Sequence, residues 1–423
     1  MPLRLARRTA RDLSETTLRC LLVIPLSVAA GAASALFLHS LESVTQTRFA
    51  HDWLLWLLPV FGLLTVALYR LCDRSGRGNN LILDEIHAPG GGVPLRMAPL
   101  VLLGTLITHL GGGSAGREGT AVQMGGGLAG GWARTLRLDH ARTRLVLMAG
   151  VAAGFGSVFG TPLAGAVFAL EVLASGTLAY EAILPCLVAA HTGDFTAKAL
   201  GVHHAHITLN IPAGLADTGP FAALLAKSLA AGAVFGLGAA FFAGFLHKAG
   251  DIYKKLLPNP WVRVAAGGAG VILLAYALGT RAYLGIGVHP IPGEENAPYI
   301  AAAFTAGGVG AFAWFWKTIF TGLTLGAGFK GGEVTPLFFT GACLGNAVSG
   351  PLAMPPDLGA ALGFAAVFAG AANTPLAGTL LGIELFGGQY APFFAAACFA
   401  AYKLSGPRGI YTAQRRGTDK ALA

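Results

Sequence analysis

The sequence predicts an all-α polytopic membrane protein made of two related halves, and three observations carry that prediction. Hydrophobic residues form 54% of the 423-residue chain and charged residues only 12%, against roughly 25% charged in soluble domains. Mean hydropathy is +0.63, and apolar runs cover nearly the whole length. Finally, Thr-Pro-Leu-Ala-Gly at 161–165 recurs at 374–378.

The apolar runs lie near 20–41, 53–72, 97–112, 121–133, 145–175 and 179–192, then near 219–247, 262–280, 298–327, 335–353, 358–372 and 375–402. A crossing helix needs ~20 residues, so several runs are too short and 145–175 is too long. Helices that enter without crossing are expected, with their broken backbone facing protein or a watery cavity. Most of the 61 glycines are read as close helix contacts. Residues 1–19 form a cytoplasmic segment bearing Arg4, Arg7, Arg8, Arg11 and Arg19; Arg415, Arg416 and Lys420 follow the last run. Positive flanks stay in the cytoplasm, so both termini are expected there, and the net charge of +9 is read as orientation. No aromatic stacking platforms accompany these charges, so nucleic-acid binding is not expected. The first run continues past Ala30-Gly31-Ala32, too far for a cleaved signal. The scattered cysteines show no metal spacing and read as small buried hydrophobes.

Residues 193–218 are the most polar internal stretch and are assigned as a connection between halves 20–192 and 219–406. Residues 407–423 follow as a short C-terminal segment, with no soluble regulatory domain expected. The cluster His203-His204-Ala205-His206 lies in the connection. Without a neighbouring carboxylate or Cys it reads as a solvated loop rather than a metal site; no metal or cofactor is expected.

The repeat extends beyond the five identical residues. Pro162 and Pro375 are each followed nine residues later by a glutamate, Glu171 and Glu384. Upstream stand Gly116-Arg117-Glu118-Gly119-Thr120 and Gly331-Gly332-Glu333-Val334-Thr335-Pro336. Duplicated halves with interrupted segments at matching positions point to a transporter whose site lies between the halves. Glu171 and Glu384 read as structural or capping groups.

From Met97 to Ala133 the only Asp, Glu, Lys or Arg residues are Arg117 and Glu118. Ionisable residues in membrane segments are costly and line cavities or work in transport. A helix opening at this Gly-rich site presents free N–H groups and a positive dipole end, which attract anions. An ionised Glu118 would compete with an anion for those donors; protonated, it would swing away. One group would thus serve as gate and proton carrier. The plainer alternative is a buried Arg–Glu pair joining two helices. Gly78-Asn79-Asn80-Leu81-Ile82 offers side-chain amides at another helix opening, or an ordinary Asn cap. Gly331–Pro336 makes a third N-terminal nest, in which Glu333 is either a transport group or a capping carboxylate.

Across about Leu22 to Thr412, these residues resemble the CLC chloride channels and transporters, closest to the bacterial fluoride/proton antiporter branch. The family's Gly-Lys/Arg-Glu-Gly-Pro motif stands at Gly116–Thr120, with Thr120 in place of Pro. Its Gly-x-Phe-x-Pro motif stands at Gly332–Pro336, with Val334 in place of Phe. Its terminal anion-contacting tyrosine corresponds to Tyr411. Asn79 replaces the serine of chloride-selective members, and Asn79 with Glu333 resembles the fluoride branch. The inner proton glutamate of chloride exchangers falls on Val172, which shifts more of the proton route to Glu118, with Glu333 and Tyr411. The resemblance implies an inverted repeat, a homodimer in the inner membrane, and fluoride export against inward protons. Glu118 and Glu333 are the expected gating and proton-transfer groups. Asn79, Asn80, Gly116, Gly119, Glu333, Val334, Thr335 and Tyr411 are the expected anion-binding residues, with Tyr411 and Thr335 on the inner path. Fluoride is strongly hydrated, so its site must supply close N–H or O–H donors; sequence does not separate cavity size from donor strength as the source of selectivity.

Alternatives are a chloride/proton antiporter or passive anion channel of the same family and, remotely, an intramembrane serine hydrolase using Ser114 and His109. Gly112–Gly116 matches Gly-x-Ser-x-Gly, and Gly111–Gly116 a dinucleotide fingerprint, but neither has the strand–helix context its chemistry needs. His109 reads as a packing residue. Lys227 and Lys317 are expected to snorkel to an interface. No enzymatic activity is expected.

Overall fold

A computed structural model describes residues 2–70, 73–204, 207–209, 218–294 and 296–417. The first half contains α1 (Pro2–Ala50), α2 (Leu58–Tyr69), α3 (Asn79–His87), α4 (Met97–Leu110), α5 (Glu118–Thr135), α6 (His140–Phe159), α7 (Pro162–Glu171) and α8 (Ile183–Ala199). The second contains α9 (Thr218–Leu256), α10 (Pro260–Leu278), α11 (Ala313–Ala327), α12 (Val334–Ser349), α13 (Pro356–Ala372), α14 (Pro375–Phe386) and α15 (Ala391–Leu404). Among the described residues, four segments are long and apolar enough to cross a membrane: Ser14–Ala50, Asp52–Tyr69, Thr218–Leu256 and Pro260–Leu278. Shorter apolar helices fill the interior, including α4, α7, α12, α13 and α14.

The run that was too long for one helix breaks where backbone chemistry requires it. Gly160 ends α6 in the left-handed conformation (φ 71°), and Pro162 opens α7. The second half repeats this break: Asn373 ends α13 at φ 57°, and Pro375 opens α14. Left-handed Gly or Asn closes a helix, and proline fits the first turn of the next. Matching helix pairs also pack alike. A Cβ on Gly125 of α5 would lie 2.1 Å from the Gly150 carbonyl of α6; one on Gly341 of α12 would lie 2.2 Å from the Gly363 carbonyl of α13. Small residues at these positions let backbones touch, the usual basis of helix association in lipid.

The repeated glutamates join the halves. Glu171 accepts N–H bonds from Leu376 (3.1 Å) and Ala377 (2.9 Å) at the start of α14. Glu384 accepts from Leu163 (3.0 Å) and Ala164 (2.8 Å) at the start of α7. Each closes two of the orphan donors at a helix N-terminus, so their capping role is observed. An aromatic cluster packs beside them: Phe155 stacks on Phe168 at 4.7 Å and meets Phe368 at 6.0 Å.

Several expectations change. Gly193 and Asp194 are not loop residues: α8 runs through them to Ala199. Of the histidine cluster, His206 lies outside the described residues. His204 is not solvated; its side chain is 8% exposed and stands 3.9 Å from Asp194. No group of three or more His, Cys, Asp or Glu suited to a metal occurs among the described residues. Lys317 does not snorkel. It is fully buried and donates to the carbonyls of Tyr283 (3.2 Å) and Gly285 (2.7 Å), because those carbonyls satisfy its charge where water is absent. Cys186, Cys343 and Cys398 are buried free thiols; Cys72 lies outside the described residues.

After α15, the chain returns to the interior. Ile410 N–H donates to Ala371 O at 2.8 Å, and strand β2 (Arg415–Arg416) pairs in parallel with β1 (Ala174–Ser175), just past α7. This return places Tyr411 inside the protein.

Candidate anion pathway

The Gly-rich motifs of the two halves meet backbone to backbone. Gly116 N–H donates to Gly332 O at 2.6 Å, and Gly332 N–H donates to Gly116 O at 2.8 Å. Side chains are excluded here: a Cβ on Gly332 would lie 2.7 Å from Gly119 N, and one on Gly116 2.7 Å from Thr335 Oγ1. The bridge brings the starts of α5 and α12 together, so two positive dipole ends converge.

Glu118, the first residue of α5, is fully buried. Its Oε2 accepts the Thr335 hydroxyl, which comes from the first turn of α12. The same oxygen accepts from Arg117 N at 3.3 Å, while Oε1 accepts from Arg117 Nε at 3.4 Å. Arg117 N also donates to Thr335 Oγ1 at 3.2 Å. Hydroxyl and main-chain donors around a negative group are what an anion site supplies. The Arg–Glu pair foreseen as the plainer alternative is thus present within the same cluster.

Asn79 and Glu333 approach from the other side. A methyl group on Gly119 would lie 3.2 Å from Asn79 Nδ2 and 3.4 Å from Glu333 Oε2. Asn79 Oδ1 and Glu333 Oε2 are buried without a hydrogen-bond partner, which leaves polar capacity open at this point. Glu333 is the N-cap of α12, and the buried Val334 its first residue. Tyr411 is buried, its ring edge-on to Phe168 at 6.2 Å. Val172 is buried at the end of α7, so the position to which the resemblance assigns an inner proton glutamate is apolar here.

Three cavities are lined by these residues and their neighbours. A small one of about 120 Å³ is lined by Arg117, Glu118, His204, Thr335 and several phenylalanines. One of about 150 Å³ lies beyond, lined by Asn79, Asn80, Gln123, Lys330, Glu333 and Tyr411. A large one of about 950 Å³ shares Asn80, Lys330, Glu333 and Tyr411 and opens among basic residues, including Arg263, Arg408 and Arg415.

Three expected site residues make contacts that the sequence did not show. Thr335 lines the small cavity with Glu118 rather than the path beside Tyr411, because it follows Glu333 into the first turn of α12. Gly116 N–H is occupied by the bridge and is no free donor. Asn80 Oδ1 accepts from Ala413 N at 2.8 Å, holding the segment that carries Tyr411, although Asn80 still lines both inner cavities. Gly119 remains in the first turn of α5, where N–H groups lack intrahelical acceptors.

Sequence reasoning missed Lys330 and Gln123. Lys330 lies over the Tyr69 ring at 4.5 Å and lines both inner cavities; its adjacency to Gly331-Gly332-Glu333 was the available signal. Gln123, on α5, faces Gly78, which only the fold reveals. His109 packs α4 against the motif loop: Nδ1 faces Thr105 O at 2.8 Å and Nε2 faces Ala115 O at 3.1 Å. Ser114 Oγ instead pairs with Thr321 Oγ1 at 3.0 Å, so no nucleophile–base pair forms between them.

Residues 61–406 match the family described as Voltage gated chloride channel. The chain belongs to that family. It is therefore a multi-pass membrane protein of ion transport, a CLC channel or transporter and not an enzyme. This CLC chain is 48% identical over 404 residues to a chloride/fluoride channel protein of Pseudomonas syringae pv. tomato, covering 93% of this chain and 86% of the relative. Its fold matches the crystal structure of a CLC-type fluoride/proton antiporter with TM-score 0.87 and 37% identity, over 95% of this chain and 98% of that one. A slow cyanobacterial Cl⁻/H⁺ antiporter matches at TM-score 0.74 and 19% identity, over 93% and 96% of the two chains; at that identity the likeness concerns the fold alone.

Proposed function

We propose that this chain exports fluoride from the cytoplasm in exchange for inward-moving protons, with Glu118 as both gate and proton carrier. One observation carries the reading: the Glu118 carboxylate occupies the donor cluster of Thr335 and Arg117, where two helix starts meet at the wall of the small cavity. An ionised Glu118 holds the anion's place. Protonation weakens its claim on those donors and lets the side chain withdraw, so one proton-loaded carboxylate exchanges with one anion position. Glu333 and Tyr411 line the inner part of the route, and Glu333 has a free oxygen for a proton. Asn79 presents an amide beside Gly119, and with Val334 and the helix starts it forms the fluoride-binding region. The antiporter likeness at 37% identity supports the same reading. In it the chain works as a homodimer in the bacterial inner membrane. Both termini face the cytoplasm, so the large basic cavity opens inward and the small cavity outward.

Liposomes loaded with fluoride or chloride, with proton movement recorded alongside anion efflux, test the proposal. Fluoride efflux accompanied by proton uptake, with slow chloride efflux, is expected. In Glu118→Gln, proton coupling should vanish. Coupled exchange in that variant sinks the mechanism, and chloride efflux as fast as fluoride sinks the selectivity.

A further inference from the structure

We propose that His204 is the outer proton relay for Glu118, the side chain through which protons from the outer solution reach the gating carboxylate. This rests on the reading of Glu118 as proton carrier. His204, from the segment after α8, and Glu118, from the start of α5, line the same small cavity. The remaining wall is largely aromatic or aliphatic, with Phe159, Phe338, Phe364 and Phe386 among its members. The Thr335 hydroxyl is committed to Glu118, and arginine does not release its proton in proteins. Among the described residues lining this cavity, His204 is therefore the only side chain besides Glu118 with a proton to exchange, and histidine is the side chain whose ordinary pKa lies nearest neutrality. A volume of about 120 Å³ accommodates bridging water, since one liquid water occupies about 30 Å³.

The imidazole is held in place. A Cβ on Gly160, at the end of α6, would lie 2.4 Å from His204 Cδ2, so the ring rests on bare backbone. Asp194 Oδ1 stands 3.9 Å from His204 Nε2 and favours the imidazolium. Among the described residues, ionisable groups approach from four elements. On α8, Asp194 also accepts from Lys198 at 2.7 Å. On α1, His39 is occupied with Leu200 O at 3.1 Å. On α14, Glu384 is bound to the α7 amides. At the start of α5, Arg117 and Glu118 face the cavity. The step balances simply: an imidazolium N–H gives its proton to a cavity water, that water gives one to a Glu118 oxygen, and a hydronium of the outer solution reprotonates the ring and is left as water.

The experiment records proton uptake and fluoride efflux in liposomes at outer pH 5 to 8.5. It compares wild type, His204→Gln, His204→Ala with and without external imidazole, and Asp194→Asn. Wild type should show a step in rate between pH 5 and 8. His204→Gln should lose the step and run about ten-fold slower above pH 7, with protons and fluoride slowed together. Imidazole should restore His204→Ala, and Asp194→Asn should keep the step but move it to lower pH. Wild-type kinetics in His204→Gln, or uniform slowing at every pH without imidazole rescue, would leave His204 a packing residue and overturn the relay. Fluoride efflux without proton uptake in wild type would instead overturn the exchange reading on which the relay depends.

Discussion

Glu171 and Glu384 cap each other's half: each carboxylate receives two N–H groups from the helix that opens the other copy of the repeated pentapeptide. The bond pattern is reciprocal, as a local two-fold relation requires. Replacing either glutamate by alanine strands two donors, and a lost partner for a buried donor costs about 1–3 kcal/mol. Glu171→Ala and Glu384→Ala should each lower the melting temperature in detergent. The loss should be larger for Glu171, which is the more buried. Unchanged melting in both variants would remove these caps from the account of how the halves hold together.

Thr335 supplies the hydroxyl that reaches Glu118. Thr335→Ser keeps a donor and Thr335→Val removes it at nearly the same volume. Serine should preserve fluoride efflux, whereas valine should slow it about ten-fold, on the scale of one charge-assisted hydrogen bond. Equal rates for the two variants would show that the bond has no part in transport.

The backbone bridge leaves no room for a side chain. Gly332→Ala places a Cβ 2.7 Å from Gly119 N, where backbone has to shift. Overpacking of this kind costs about 1–3 kcal/mol. Fluoride flux should fall more than stability does, because the shift occurs at the donor cluster itself. Unfolding curves measured beside efflux separate the two effects.

Lys317 ties α11 to the carbonyls of Tyr283 and Gly285. Lys317→Met keeps the volume but abandons both acceptors, and about 1–3 kcal/mol should be lost. Proteolysis of segment 279–300 should become faster than in wild type; equal rates would count against the tether.

Glu294, in the connection between α10 and α11, provides a pH test. Burial raises its pKa, but hydrogen bonds from Thr280 and Arg281 and the Arg281 charge outweigh burial and hold it below the usual carboxylate range. A depressed folded pKa adds stability above the unfolded value and loses it as pH falls through the folded one. The melting difference between wild type and Glu294→Gln should therefore be full near neutrality and shrink on acidification. A difference that grew with acid would reverse the sign of the coupling.

Much of this architecture was legible in the chain. The over-long run 145–175 announced a break, and Gly160 and Pro162 supply it by rules that operate within a few residues. The repeated pentapeptide announced paired halves because duplicated contacts need duplicated sequence. Glu118 and Glu333 stood out because charge is rare in such segments. Contacts between distant segments were not legible. Thr335 turned from the inner path to Glu118 because the bridge fixes how α12 faces α5. Asn80 became a tether because the terminal segment folds back onto it. His204 looked solvated, since its ionic neighbour Asp194 is separated from it by a helix end and a turn. Lys317 looked like an interfacial lysine because sequence could not show two carbonyls converging on it.

The bond between Gly116 and Gly332 also bears on how such a machine moves. Two main-chain hydrogen bonds fasten the halves directly beside Glu118. Swinging the halves apart there would strand four peptide groups in a dry interior. Large clamshell motion is thus penalised at its own pivot. Under the exchange proposed above, a device so fastened would change access one side chain at a time, with the scaffold standing still while the Glu118 carboxylate turns.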